Sequence, residues 1–187
     1  INLALDIIKH EQHHAVLLCG HSTGGLTMTL FAAHYPKHPL IKALWCNSPF
    51  YDFNMSSFEK KFAVPQMAAL GKKFPNMLFP SRLNRLYVPS LHVSYHGEWN
   101  FNLEWKTPNY HLVRLSFVNA IYEAQKEIHQ GVHLNIPTLI MHSHQTQYPL
   151  RFNQDAQTSD VILEVQDMIK YANKISGDIT LCEIHNG

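Results

Sequence analysis

The sequence has no apolar stretch of about 18 residues, the length that a helix needs to cross a bilayer, so no stable insertion into a membrane is expected. Charge is also sparse, since 16% of the 187 residues are charged and the net charge is +1 with neutral histidines. No basic run alternates with aromatic residues, and nucleic acid is therefore not an expected partner. Apolar residues make up 45% of the chain, which is typical of a globular protein with one ordinary core.

Cysteine occurs only three times, too rarely for a disulfide framework. Cys19, Cys46 and Cys182 each lie in a strand-like apolar run, which predicts buried, reduced thiols. Such thiols favour a reducing compartment, most simply the cytoplasm, although a signal peptide would precede Ile1 and is not excluded. The fourteen histidines are scattered, and no pair has the spacing of a zinc-binding helix. We therefore expect no metal and no other cofactor.

The motif Gly-x-Ser-x-Gly occurs at residues 20–24, between the apolar run 15–19 and a helical pattern that begins at Leu26. This strand–turn–helix context is typical of the nucleophile elbow of an α/β-hydrolase. Ser22 is then the candidate nucleophile, and the amide of Thr23 is a candidate donor to an oxyanion, because it lies at a helix N-terminus. The alternative is a tight turn whose serine only caps the helix. The strand before the motif and the helix after it favour the elbow.

The two glycines of the motif have an expected steric role. Ser22 has to adopt a strained conformation that exposes its Oγ. A side chain at Gly20 or Gly24 would then collide with the neighbouring turn. The motif therefore predicts that both positions require glycine.

Strand-like and helical patterns alternate along the chain. Apolar runs typical of buried parallel strands lie at 15–19, 41–46, 136–143 and 179–184. Helical periods cover 2–10, 26–35 and 113–129. This order predicts an α/β protein with the α/β-hydrolase fold, a doubly wound and mostly parallel sheet, with an inserted helical cap and with the early strands of that fold missing.

Three segments follow from this pattern. Residues 1–47 are assigned to the hydrolase core with the elbow, 48–135 to a cap or lid insertion, and 136–187 to the C-terminal part of the core. The insertion has no buried-strand run and is dense in aromatic and amide side chains. A cap is expected at this point of the architecture. Most of its aromatic residues should form the cap's own core, and a minority should face Ser22.

The C-terminal part is expected to contain one helix and the last strand. Ser159 to Leu163 would open the helix, which would run to about Ile175. Ser176-Gly177-Asp178 would form its C-terminal turn, with Gly177 as a left-handed cap.

A serine nucleophile needs a base, and the base needs a carboxylate that orients it. In α/β-hydrolases these follow in the order serine, acid, histidine. Asp155 and Asp160 both lie in the region expected for the acid, and we favour Asp160, which could also cap a helix. His185 follows the last strand, but the expected base lies a little further on. We therefore expect the catalytic histidine beyond Gly187 and no appreciable activity of the 187-residue chain alone.

Short motifs along the whole chain resemble one family, the serine aminopeptidase S33 or lysophospholipase-type α/β-hydrolases, which include monoacylglycerol lipases. They are Gly20 to Gly25, Asn47-Ser48-Pro49-Phe50, Gly97-Glu98-Trp99, Ala124-Gln125, Met141-His142-Ser143, Ser159 to Leu163, and Ile184-His185-Asn186-Gly187. The resemblance implies Ser22 as nucleophile, Asp160 as acid, Thr23 as one oxyanion donor, and a base just beyond Gly187. It also implies that a complete member has further strands before Ile1.

Together these patterns predict a serine hydrolase that cleaves carboxylic esters through an acyl-enzyme. The aromatic cap favours a small-molecule ester with an apolar acyl group. The alternatives are a serine aminopeptidase and a non-catalytic protein that binds a ligand under the cap. An aminopeptidase needs carboxylates to hold the substrate amine, and Glu98 is the one candidate that the sequence offers. No oligomeric state is predicted.

Overall fold

The structure is a computed structural model that describes residues 1–81, 84–109 and 112–185. The chain divides into two compact units, which are taken separately. The first unit contains Ile1–Tyr51, Ala124–His142 and Met168–Cys182. The second contains Asp52–Glu123, Ser143–Asp167 and the residues from Glu183 onward. Asn186 and Gly187, which close one of the family motifs, lie outside the described residues.

The first unit is built around a four-stranded sheet. In spatial order its strands are β1 (Val16–His21), β2 (Ile41–Asn47), β5 (Val132–Ser143) and β6 (Ile175–Ile184). β1 pairs with β2, and β2 pairs with β5, in parallel. The alternation of apolar runs and helical periods in the sequence correctly predicts this arrangement. The helices are α1 (Asn2–His10), α2 (Thr23–His34) and parts of α5 (Leu115–Gln130) and α7 (Val165–Ala172).

Apolar side chains of the strands and of α2 form the core of the first unit. Leu18 of β1, Leu44 of β2 and Ile140 of β5 are buried. Helix α2 packs on β1 and β2 and buries Leu26 and Leu30. This packing fixes the start of α2 against the end of β1.

The prediction that β1 is a buried strand is wrong for the described residues. Leu18 is buried, but Leu17 is 54% exposed and Cys19 is also exposed. Within the described ranges β1 lies at an edge of the sheet and pairs only with β2. Of the three cysteines, all of them free, only Cys46 is fully buried, and Cys182 is half-buried.

Most of the regular secondary structure in the second unit is helical. A π-helical segment, Glu59–Ala63, continues into α3 (Val64–Lys73), and α4 (Tyr87–Leu91) and α6 (Asp155–Thr158) are short helices. Two three-residue strands, β3 (Leu78–Pro80) and β4 (Leu112–Arg114), pair in antiparallel fashion. No helix among the described residues is long and apolar enough to cross a membrane.

An ion-pair cluster ties distant parts of the second unit together. Lys60 of the π-helical segment contacts Asp52 at 2.8 Å and also contacts Asp167 of α7. Burial by itself lowers the pKa of Lys60, but the hydrogen bonds that Lys60 donates to Asp167 and Asp52 outweigh it and raise that pKa. Lys60 therefore stays charged and joins the start of the unit to its last helix.

The C-terminal helix begins later than the sequence pattern predicts. Residues 161–163 form bends, and α7 begins at Val165. The reason is a cap that is distant in sequence: the Oγ1 of Thr146 accepts the Val165 amide at 2.7 Å and donates to the Leu163 carbonyl. Asp160 instead closes a turn with its own neighbours.

Gly177 is not a helix cap but a residue of β6. Its φ is 129°, a value that residues with a side chain rarely adopt. A Cβ here would lie 2.2 Å from the carbonyl oxygen of Leu134 in β5. The glycine therefore serves the close approach of two neighbouring strands, and β6 begins at Ile175 rather than at Ile179.

Candidate active site

Ser22 lies in the turn between β1 and α2, in the first unit. Its φ is 52° and its ψ is −118°, which is strained for a residue with a side chain. Two of its backbone hydrogen bonds join it to the end of β2 and the segment after it. The Ser22 amide donates to the Asn47 carbonyl at 3.0 Å, and the Phe50 amide donates to the Ser22 carbonyl at 2.9 Å. Strain of this kind costs about 1–3 kcal/mol and persists only where the surroundings enforce it.

Of the two glycines in the motif, only one has the role that the motif predicts. A Cβ at Gly20 would lie 2.5 Å from the carbonyl oxygen of Gly24, so the expected collision is present there. At Gly24 the expectation is wrong, because a Cβ would have no atom within 4 Å outside its chain neighbours and the backbone of its own helix. The second crowded position is Gly25, where a Cβ would lie 2.7 Å from the Cβ of Pro49. Pro49 belongs to the segment after β2, which the local motif does not include.

These distances predict a graded effect of alanine at the three glycines. Gly20→Ala and Gly25→Ala should each lower the free energy of unfolding by about 1–3 kcal/mol, because backbone or a rigid ring must move. Gly24→Ala is the matched control and should stabilise by up to about 1 kcal/mol, since alanine favours a helix. Urea unfolding of the full-length protein measures all three. A Gly24→Ala loss equal to that of Gly20→Ala would contradict this packing.

Thr23 is the first residue of α2. The first four amides of a helix have no acceptor within the helix. The helix dipole makes this end favourable for negative charge. The Thr23 amide is thus one of the N–H groups at this helix end that can donate a hydrogen bond to an anion.

A buried polar cluster joins α2 to the segment after β2. The Thr29 hydroxyl donates to the Gly25 carbonyl at 2.8 Å, so the Tyr51 hydroxyl, 2.8 Å away, donates to Thr29. Tyr51 is only 1% exposed. Burial raises the pKa of Tyr51 and that of the neighbouring Cys46 thiol. Both groups therefore remain neutral, and the cluster fixes the segment without placing a charge in the core.

Asp160 lies in the second unit, whereas Ser22 and Thr23 lie in the first. It is half-buried, and its Oδ1 accepts the amides of Ile162 at 2.8 Å and Leu163 at 2.7 Å. Its backbone pairs with the segment 145–147 through two hydrogen bonds of 3.0 Å. Backbone hydrogen bonds therefore hold both the carboxylate and the main chain of Asp160 in place.

Asp155, the other candidate acid, has a different environment. It is exposed at the start of α6, and its Oδ2 accepts a hydrogen bond of 3.0 Å from the Asn153 side chain. A helix N-terminus is a favourable place for a carboxylate. This suits a structural role near α6.

His185 follows β6 in a turn of the second unit. Its side chain is 76% exposed, and its Nε2 lies 3.2 Å from the Oε1 of Glu183. Its ring stacks on that of His144, with 5.5 Å between the ring centroids. His185 is the described histidine at the end of the last strand.

The second unit also contains an open cleft of about 680 Å³, within the range of sites for small organic molecules. Glu59, Glu164, Arg85, Asn54 and Tyr148 contribute to its lining, together with apolar side chains. The Tyr148 hydroxyl is 2.8 Å from Glu164 and 2.9 Å from Asn54. Burial and the hydrogen bond with Glu164 raise the pKa of Tyr148.

Sequence reasoning missed the two carboxylates of this cleft. The sequence pattern pointed only to Glu98, whereas Glu59 and Glu164 are far apart in sequence and line one cleft only in the folded unit. No local signal identifies such a pair. In the part of the chain that the structure describes, no group of three or more histidine, cysteine, aspartate or glutamate side chains is arranged to hold a metal ion.

Comparison with known proteins identifies the family. A sequence model of the family described as serine aminopeptidase, S33, matches residues 1–148. None of the curated proteins compared with the chain matches it.

Several solved structures resemble the chain. Monoacylglycerol lipase from Paleococcus ferrophilus is 17% identical with a TM-score of 0.67, over 97% of this chain and 62% of that protein. A soluble variant of monoglyceride lipase from Saccharomyces cerevisiae, in complex with a substrate analog, is 15% identical with a TM-score of 0.56, over 99% and 58%. Alpha/beta hydrolase domain-containing protein 10 from mouse is 18% identical with a TM-score of 0.50, over 100% and 58%.

At these identities the structural likeness shows the fold alone, and the chain spans about three-fifths of the length of the proteins it resembles. The parallel sheet with its flanking helices is that fold. The family match covers most of the chain. The chain therefore belongs to the serine aminopeptidase S33 family and has the α/β-hydrolase fold.

Proposed function

We propose that the protein is a serine hydrolase that cleaves carboxylic esters through an acyl-enzyme, with Ser22 as its nucleophile. The observation that carries this proposal is the conformation of Ser22. A serine with a positive φ between a parallel strand and a helix, held by backbone hydrogen bonds at its N–H and its C=O, has the form of a nucleophile elbow. Membership of a hydrolase family and the lipase names of two similar structures support the same chemistry.

The proposed reaction has two steps. Ser22 Oγ attacks the ester carbonyl carbon and gives its proton to a histidine, which passes it to the leaving alcohol. The oxygen that becomes negative accepts a hydrogen bond from the Thr23 amide. Water, deprotonated by the same histidine, then attacks the acyl-enzyme and releases the carboxylic acid and free Ser22.

Asp160 is the proposed acid that orients the histidine. The backbone amides of Ile162 and Leu163 anchor its Oδ1 and so fix the orientation of the carboxylate. The base is a histidine at or after the end of β6, and His185 is the described residue in that position. A carboxylate in this role fixes the tautomer of the imidazole and stabilises its charged form.

Residues 48–135 are proposed to act as a cap that selects an apolar acyl group. This segment supplies large apolar side chains that are exposed, among them Phe62, Tyr95, Trp99 and Trp105. Exposed aromatic surface of this kind suits contact with acyl chains. Esters of longer acids should therefore be better substrates than acetate esters.

An aminopeptidase is the second candidate, favoured by the cleft that contains Glu59 and Glu164. Two carboxylates could hold the ammonium group of a peptide N-terminus. A non-catalytic ligand-binding protein with this fold is the third candidate, and it would contain no reactive serine.

A substrate panel distinguishes these candidates. The full-length protein is incubated with p-nitrophenyl esters of increasing acyl length and with aminoacyl-naphthylamides. We expect turnover of the esters, faster with longer acyl groups, and no dependence of their KM on Glu164→Gln. Turnover of the amides alone, with a KM that rises at least about tenfold in Glu164→Gln, would favour the aminopeptidase. Turnover of neither class would favour the binding protein.

A further inference from the structure

The segment Asn47–Tyr51, which begins with the last residue of β2, is hydrogen-bonded to the Ser22 turn and is called the β2 loop below. The Ser22 amide donates to Asn47, and the Phe50 amide donates to Ser22. Pro49 of the same loop packs against Gly25, at the start of α2. The position of the Ser22 backbone therefore depends on the position of this loop.

Two side chains of α5 hold the other side of the β2 loop. Gln125 Nε2 donates to the Phe50 carbonyl at 3.0 Å, and His129 Nε2 lies 2.7 Å from the Tyr51 carbonyl. A carbonyl oxygen only accepts, so His129 donates from Nε2. The backbone of Phe50 thus links Ser22, through its N–H, to Gln125, through its C=O.

Both α5 residues are themselves held in place. Gln125 is only 2% exposed, and a buried amide without a hydrogen-bond partner would be costly. The ring of His129 stacks on that of Tyr171, with 3.6 Å between the centroids and an angle of 13°. A rigid donor that is fixed by packing restrains its acceptor better than a solvated one.

We propose that Gln125 and His129 are positioning residues for Ser22. Through the β2 loop they hold Ser22 in its strained conformation with a positive φ. This proposal rests on the proposed function, in which Ser22 is the nucleophile. The strained φ of Ser22 would relax if the loop could move, and a displacement of about 1 Å in a catalytic group can cost about 100-fold in rate. Gln125 and His129 act through the loop and touch no reacting atom.

Three variants of α5 test the proposal. Gln125→Met keeps the length of the side chain and removes the donor. His129→Phe keeps an aromatic ring for the stack on Tyr171 and removes the donor, whereas His129→Gln restores an N–H. Glu127→Gln is the control, because this residue of the same helix contacts His34 at the exposed surface and not the β2 loop.

Four measurements on the full-length protein, well below its melting temperature, decide the outcome. They are kcat and KM for a p-nitrophenyl ester, the rate constant of covalent labelling by a fluorophosphonate, and hydrogen exchange of the Phe50 amide. Gln125→Met and His129→Phe should lower kcat and the labelling rate about tenfold, leave KM within about twofold, and speed the exchange of Phe50. His129→Gln should recover part of the loss, and Glu127→Gln should match the wild type.

The possible failures are distinguishable. If the wild type is labelled on Ser22 and both donor-deleted variants are labelled at the same rate, the positioning role is wrong and the proposed function stands. A lower melting temperature with unchanged kcat would likewise reduce both residues to a structural role. If the wild type is not labelled at all, the proposed function fails and this inference fails with it. Should Gln125→Met not fold, the two His129 variants and the Phe50 exchange decide alone.

Discussion

Ser22→Ala in the full-length protein is expected to lower kcat for ester hydrolysis by at least about 10,000-fold, since removal of a serine nucleophile eliminates the covalent route. The fold should be unaffected, because the backbone hydrogen bonds to Asn47 and Phe50 do not involve the hydroxyl. Alanine has the same difficulty as serine in adopting φ 52°. Steady-state turnover of a p-nitrophenyl ester measures the change.

The matched control for this variant is Thr27→Ala. Thr27 carries a hydroxyl on α2, one turn after Thr23, and its Oγ1 donates to the Thr23 carbonyl at 2.9 Å. Its loss should leave kcat within about twofold, as for most exposed positions. A Ser22→Ala enzyme that keeps a tenth or more of the wild-type kcat would place the nucleophile elsewhere in the protein.

Asp160→Asn is expected to lower kcat by about 1,000- to 10,000-fold, because a histidine without its carboxylate loses the tautomer and the charge stabilisation that it needs as a base. Asparagine keeps the Oδ1 that accepts the amides of Ile162 and Leu163, so the turn itself should remain. The melting temperature should therefore change little while the activity falls. Turnover of the same ester, with KM determined in parallel, measures the effect.

Asp155→Asn is the comparison that identifies the acid. Asp155 is exposed at the start of α6, and its replacement should leave kcat within about threefold. A large loss in Asp155→Asn together with a small loss in Asp160→Asn would exchange the two assignments. Equal and small losses of kcat in both variants would mean that the catalytic acid lies in another part of the protein.

The strand–turn–helix around Ser22 could be predicted from the sequence because its determinants are local. The apolar run before Gly20 favours a strand, and the period after Gly25 favours a helix. The structure has β1 at Val16–His21 and α2 at Thr23–His34, as expected. Local sequence is sufficient here because neighbouring residues impose the backbone path.

The glycine roles could not be predicted correctly because one of them depends on a distant segment. The motif treats Gly24 as constrained, whereas the constraint falls on Gly25, against Pro49. Pro49 is 24 positions away and approaches only through the parallel pairing of β1 with β2. A local pattern contains no information about that contact.

The start of α7 was mispredicted for the same physical reason. Ser159 and Asp160 are good N-cap residues, so the sequence favours a helix from that point. In the structure the cap is the hydroxyl of Thr146, and Asp160 uses its carboxylate to close a turn. The carboxylate pair of the cleft and the donors Gln125 and His129 were likewise beyond local reasoning, since each meets its partners only after folding.

The covalent reaction of the protein with a fluorophosphonate is the decisive measurement. The full-length protein is treated with the reagent, digested, and analysed by mass spectrometry to locate the adduct. We predict a single adduct per chain, on Ser22, that is absent in Ser22→Ala. No adduct, or an adduct on another residue that survives Ser22→Ala, would contradict the proposal that Ser22 is the nucleophile of a serine hydrolase.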